Sequence, residues 1–123
     1  MITQFTIDTE LITLNEYIKI ERSSKYISAA KKKELTSKVA FLIKAQGIKL
    51  KDCLHDVDVF WYRNNKKHDA DNVYFAIKFI LDGLVKSGAL ATDGRKNIRN
   101  IHNYIEQSDT NYNYCIVKMK EVC

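Results

Sequence analysis

The residues best suited to chemistry lie between positions 69 and 93. Asp69 and Asp71 form an Asp-x-Asp pair followed at once by Asn72; Lys78 and Asp82 come next, Gly88 interrupts the pattern, and Asp93 follows it. Hard divalent cations such as Mg²⁺ take carboxylate oxygens and keep several waters. A carboxylate-bound ion of this kind can activate water and neutralise charge on a phosphodiester. A nearby lysine can offset charge on the phosphate or in the transition state. Asp69, Asp71 and Asp93, with the Lys78 ammonium, around one short helix therefore suit metal-assisted phosphate chemistry. The plain alternative is that acidic and Asx residues cap helix N-termini.

The elements around this stretch must place it. Val73, Ile77, Ile80 and Leu84 recur at helical spacing and predict one helix over residues 72–87, closed by Ser87-Gly88. At ~100° per residue, Asp71, Lys78 and Asp82 fall on one line opposite that apolar stripe. Upstream, Asn64 to His68 is a polar loop whose Lys66 and Lys67 lead into the acids. Downstream, the loop 89–94 returns Asp93, followed by Arg95.

The flanking chain reads as scaffold. Residues 3–12 alternate as a half-buried strand that breaks at Leu14-Asn15-Glu16-Tyr17, with Asn15 as a turn residue. Ser23 or Ser24 caps a helix running to about residue 46, with Leu35, Val39, Leu42 and Gln46 at helical spacing and Gly47 as its stop. Lys31, Lys32, Lys33, Lys38 and Lys44 decorate its other faces, either as a solvated surface or as phosphate contacts. Residues 56–63 form a central strand, and its Asp56-Val57-Asp58 is the weaker second Asp-x-Asp. Trp61 and Tyr62 fit core packing before base stacking. Two further strands, 97–106 and 112–119, read as a hairpin across the turn 108–111. The expected fold is α+β, a mixed and roughly four-stranded sheet against two helices in the order β-α-β-α-β-β, with residues 1–123 as one domain.

Composition bounds the partners. The 123-residue chain carries a net charge of +5 and a pI of about 9.1, which favours a polyanion. Cys53, Cys115 and Cys123 are odd in number and show no Cys-x-x-Cys spacing. That argues against a zinc site or disulfides and for free thiols in a reducing cytoplasm. His55 and His102 lack metal-ligand spacing, and all three histidines read as surface residues before ligands; His68, next to Asp69, is placed to tune the site or contact a phosphate. No apolar run approaches the ~20 residues of a membrane helix, and no signal-peptide pattern opens the chain.

The stretch Asp69-Ala-Asp71-Asn72, then Lys78-Phe-Ile-Leu-Asp82-Gly-Leu-Val-Lys86-Ser-Gly88, then Asp93 five positions on, resembles the RusA family of Holliday junction resolvases. Leu14-Asn15-Glu16-Tyr17 is similar to that family's early asparagine motif, and Lys66-Lys67 to its basic run. The likeness covers most of the chain and is densest over 66–96. It implies a small homodimeric endonuclease, often encoded by phages and prophages, that cuts two opposed strands of a four-way DNA junction. The implied cofactor is Mg²⁺, with Mn²⁺ as substitute. Asp69, Asp71 and Asp93 would be the metal-binding acids and Lys78 the catalytic lysine, with Asn15, Lys66, Lys67 and Arg95 contacting DNA. Two departures stand out. About three extra residues, nearly one helical turn, separate Asp71-Asn72 from Lys78, and Thr92 replaces an aspartate common before Asp93. Asp82 reads as an i,i+4 partner of Lys78. The competing expectation is a protein that binds branched or duplex DNA and cuts it little.

Overall fold

A computed structural model describes all 123 residues. The elements are β1 (Ile2–Ile7), α1 (Leu14–Ser23), α2 (Lys25–Ala45), β2 (His55–Arg63), α3 (Ala70–Tyr74), α4 (Ile77–Lys86), β3 (Ile98–Gln107) and β4 (Tyr114–Glu121). The fold is α+β, with one four-stranded mixed sheet in the order β1-β4-β2-β3. β4 runs antiparallel to both β1 and β2, whereas β2 and β3 are parallel. No helix is long and apolar enough to cross a membrane.

The expected β3–β4 hairpin does not form. β4 alternates without fault, burying Cys115, Val117 and Met119, and a strand with that much apolar surface takes a central position. β3 is exposed along nearly its whole length and takes the edge. Its parallel pairing with β2 needs a crossover, which α3 and α4 supply.

Three helical expectations also change. Leu14–Ser23 is a helix rather than a turn, because Thr13 and Glu16 build a reciprocal capping box at its start. β1 accordingly ends at Ile7. The single helix over 72–87 is two helices. Amides of Ala76, Lys78 and Phe79 bond three residues back, to Val73, Phe75 and Ala76, so the chain tightens between Tyr74 and Ile77. That break lies in the segment with the surplus residues. It is held by aromatic packing of Phe75 on Tyr17 and Phe79, and of Tyr74 on Trp61. The wheel that aligned Asp71 with Lys78 assumed a continuous helix, so that alignment does not carry through the break.

Twenty buried residues form one core cluster between the helices and one face of the sheet. Leu35, Val39 and Ile43 of α2 meet Phe79, Ile80 and Leu84 of α4 there. Gly83 makes the approach possible: a Cβ built on it would lie 2.5 Å from Val39 Cγ1 and 2.9 Å from Val39 Cβ. Gln46, expected on the apolar stripe, is exposed. Its carboxamide bonds the Thr6 backbone in both directions, at 2.9 and 2.7 Å, and so satisfies the free edge of β1.

The cysteines and His55 also depart from expectation. Cys53 and Cys123 form a disulfide, with Cα atoms 5.9 Å apart. Antiparallel register pairs His55 with Glu121. Two residues further out, that register sets Cys53 against Cys123. Only Cys115 is free, and burial pushes its thiol up to about 12. His55 is fully buried, not a surface residue. Its Nδ1 pairs with the Cys53 carbonyl at 2.9 Å.

Candidate functional site

Arg63 ends β2, and asparagines shape the loop that follows. The Asn64 amide donates to Asn113 Oδ1 at 2.9 Å, and the Asn64 side chain donates to the Asn111 carbonyl at 2.9 Å. Asn65 Oδ1 accepts the Lys67 amide at 2.9 Å, an Asx turn that reverses the chain. The two lysines consequently line different hollows. Lys66 lines one of about 380 Å³ with Ile105 and Glu106. Lys67 lines another of about 250 Å³ with Glu10, Glu16 and Asn113. Arg63, Asn65 and His68 border both.

Burial raises the Glu16 carboxyl, but hydrogen bonds from the Thr13 amide (3.1 Å) and hydroxyl (2.9 Å), with His68 and Arg63 nearby, hold it below the usual carboxylate range. Glu16 is thus an anion facing the basic loop. Arg63 and Glu16 were not among the expected site residues, and His68 was expected only as a neighbour of Asp69. An arginine as the last residue of a strand that empties into a basic loop was the available signal.

The Asp-x-Asp-Asn segment divides its labour. Asn72 is buried, and its Oδ1 accepts the Asn15 amide at 2.8 Å, satisfying a donor in the first turn of α1. Asn15 is therefore not a turn residue. It sits in the first turn of α1 with its amide committed to this bond, and the two motif fragments, 57 residues apart, meet there. Asp71 Oδ1 accepts the Asn72 amide at 2.9 Å. Asp69 occupies the N-cap position of α3, yet its side chain makes no capping bond. Both aspartates and Lys78 are exposed.

The remaining acid is elsewhere. Asp93 and Arg95 lie, exposed, in the loop before β3. Asn97 Nδ2 ties that loop to Asp52 and to the Cys53 carbonyl, each at 3.0 Å, and Ala89 accepts the Leu50 amide at 3.0 Å. These are contacts with the chain just before β2, whereas Asp69 and Asp71 follow its last residue. Parallel β2 and β3 impose this separation. The nine residues of β2 span roughly 26 Å at about 3.3 Å per residue. One chain therefore does not bring Asp69, Asp71 and Asp93 together. No three His, Cys, Asp or Glu side chains are grouped so as to hold a metal ion. The three-acid set does not fit a divalent cation within a single chain.

The ion pairs are Lys31–Glu34, Lys96–Asp52, Arg99–Asp56 and His102–Asp58. Asp69, Asp71, Asp93 and Lys78 take part in none, and the expected Lys78–Asp82 pair does not form. The second Asp-x-Asp is structural: Asp56 clamps Arg99 at 3.0 and 2.7 Å, and Asp58 takes His102, both linking β2 to β3. No protein-family model matches the sequence, and no curated protein matches it.

Proposed function

We propose that this chain is a RusA-like endonuclease that cuts opposed strands of four-way and other branched DNA, as a homodimer and with Mg²⁺ or Mn²⁺. One observation carries the reading. Asp69 stands where a helix cap belongs and caps nothing, and neither it nor Asp71 takes part in an ion pair. The plain structural reason for an acid at position 69 is therefore missing, while Asn72 in the same motif has one. Arg63, Lys66, Lys67 and His68, at the end of β2 and in the loop that leads into the acids, are groups suited to DNA phosphates. Lys78, exposed in the first turn of α4, offers an ammonium to a bound phosphate.

Dimerisation is part of this reading. Asp93 lies about a strand length from Asp69 and Asp71, so a three-carboxylate set requires Asp93 of the partner subunit. A twofold pair of chains also matches the twofold symmetry of a junction. The test mixes the protein with a labelled four-way junction, in Mg²⁺ and in a chelator. Paired symmetric nicks in Mg²⁺ alone are expected, and Asp71→Asn should stop cutting while junction binding persists. Binding without nicks would overturn the nuclease reading. It would favour the second one, a branched- or duplex-DNA-binding protein, which draws support from the absence of an assembled metal group in one chain.

A further inference from the structure

The face of the sheet turned away from the helices contributes no residue to the core cluster. Register sorts its side chains into rows. Ile116, Phe60 and Tyr104 lie side by side, with Tyr114 and Tyr62 in the next row toward the end of β2. Phe60 stacks on Tyr104 with ring centres 4.9 Å apart, and Tyr62 on Tyr114 at 4.8 Å. The row on the other side of Phe60 holds Lys118 and Asp58, and beyond it lie Lys120 and Asp56. Lys118 Nζ sits 4.9 Å from the centre of the Phe60 ring.

The charges on this face are unevenly used. Asp56 is taken by Arg99 and Asp58 by His102. Lys118 and Lys120 are in no ion pair. Lys118 borders the Phe60–Tyr104 pair, with its ammonium over the Phe60 ring, and Tyr104 is 43% exposed on the edge strand; the Tyr62–Tyr114 pair lies one row beyond Phe60, with the unpaired Glu106 beside Tyr62.

We infer that this open face binds single-stranded nucleic acid, with bases against the Phe60–Tyr104 and Tyr62–Tyr114 rings and backbone phosphates toward Lys118 and Lys120. Each pair has its inner ring faces closed against one another, so the outer faces, above all that of Tyr104 on the edge strand, offer the stacking surface to bases that are not already stacked in a duplex. Adjacent rows are two residues apart along a strand, about 6.7 Å, so phosphate and base sites are neighbours. Self-association fits this face less well. A second copy would bury two ammonium groups without ion-pair partners from each chain, which is costly. The inference does not depend on the acids at 69, 71 and 93.

The test measures anisotropy of fluorescein-labelled fifteen-residue oligo-dT, oligo-U and a duplex of equal length, with the full chain in chelator so that no cleavage intervenes. Binding of a single-stranded probe in preference to duplex is expected, and the two single-stranded arms decide between DNA and RNA. Tyr104→Ala should weaken binding on the order of tenfold. Lys118→Gln with Lys120→Gln should lower the log–log salt slope by about 1.4. Phe41→Ala, 70% exposed on α2, should change nothing. Circular dichroism melts check that each variant is folded, and the lysine variants keep the test open should Tyr104→Ala fail to fold. Equal affinity for duplex, or affinities unmoved by both the ring and the lysine changes, would overturn the inference. So would a sedimenting dimer that Tyr104→Asp dissolves, since that result assigns the face to a second copy.

Discussion

Gly83→Ala is the sharpest probe of how α4 is held. On helix propensity alone this change should stabilise an exposed helix by about 1 kcal/mol. Gly83 is not exposed; it is the contact point between α4 and α2. The added methyl would meet Val39 Cγ1 at 2.5 Å, Val39 Cβ at 2.9 Å and the Ala40 backbone nitrogen at 3.2 Å. Carbon atoms prefer separations of about 3.5–4.0 Å, so the helices must part by roughly 1 Å. A rotamer change of Val39 relieves the Cγ1 contact but leaves those to its Cβ and to the backbone. Overpacking of this kind costs about 1–3 kcal/mol. With the propensity gain set against the upper part of that range, the expected net loss is about 1–2 kcal/mol, or roughly 4–8 °C in Tm. Urea denaturation gives the value directly. A double-mutant cycle locates the cause: Val39→Ala alone should cost about 2 kcal/mol, and Gly83→Ala added to it should cost less than in the parent. A Gly83→Ala protein more stable than the parent, or strict additivity with Val39→Ala, would refute the close crossing.

Further outcomes follow from the same geometry. Asn72→Ala leaves the Asn15 amide without its buried acceptor and should cost about 1–3 kcal/mol, measured by urea midpoint, whereas exposed Asn15→Ala should change stability by less than about 0.5 kcal/mol. Arg99 beside Asp56 holds that carboxyl below its ordinary value. The pair's contribution is therefore present above the unfolded carboxylate pKa and lost as pH falls through the folded one. The urea midpoint of the parent should drop more between pH 6 and pH 3 than that of Asp56→Asn, and equal drops would remove the pair from the account. Thiol labelling should find no reactive cysteine in the oxidised native protein, two after reduction, and Cys115 only on unfolding, because burial keeps it a neutral thiol. A disulfide across a sequence separation of 70 contributes up to about 4 kcal/mol in the chain-entropy estimate, so reduction should lower the denaturation midpoint markedly.

Periodicity within a segment was legible, while relations between segments mostly were not. The strand at 56–63, the long second helix and the stripe of Val73, Ile80 and Leu84 follow from local spacing, and the structure contains them. The partner of a strand is set by competition for burial across the whole sheet. The clean alternation of β4 and the ragged pattern of β3 already held the answer, but a short connecting loop suggested a hairpin. The disulfide was hidden for the same reason, since it depends on β4 lying against β2. The capping box at Thr13 and Glu16 was a readable signal for α1 that the preceding alternation obscured. At the candidate site, residue types pointed to the acids, yet only the parallel crossover reveals that Asp93 leaves that loop at the opposite end of β2 from Asp69. Arg63 and His68 acquire meaning through the fold of the asparagine-rich loop, which spacing alone does not specify.

The strand order has a consequence for how the molecule comes into being. β1 is made first, but its sole partner in the sheet is β4, with Ile2 set against Lys120. During vectorial synthesis α2 can cover the apolar side of β1 early, but the strand's hydrogen-bonding edge must wait until β4 has left the ribosome. Such distant pairing slows folding, because a long loop must close before the contact rewards it. Until then β1 and β2 each present an unsatisfied edge that other nascent chains can recognise. A stalled or shortened transcript would therefore yield not a smaller version of this protein but an open sheet, prone to aggregate and to be degraded.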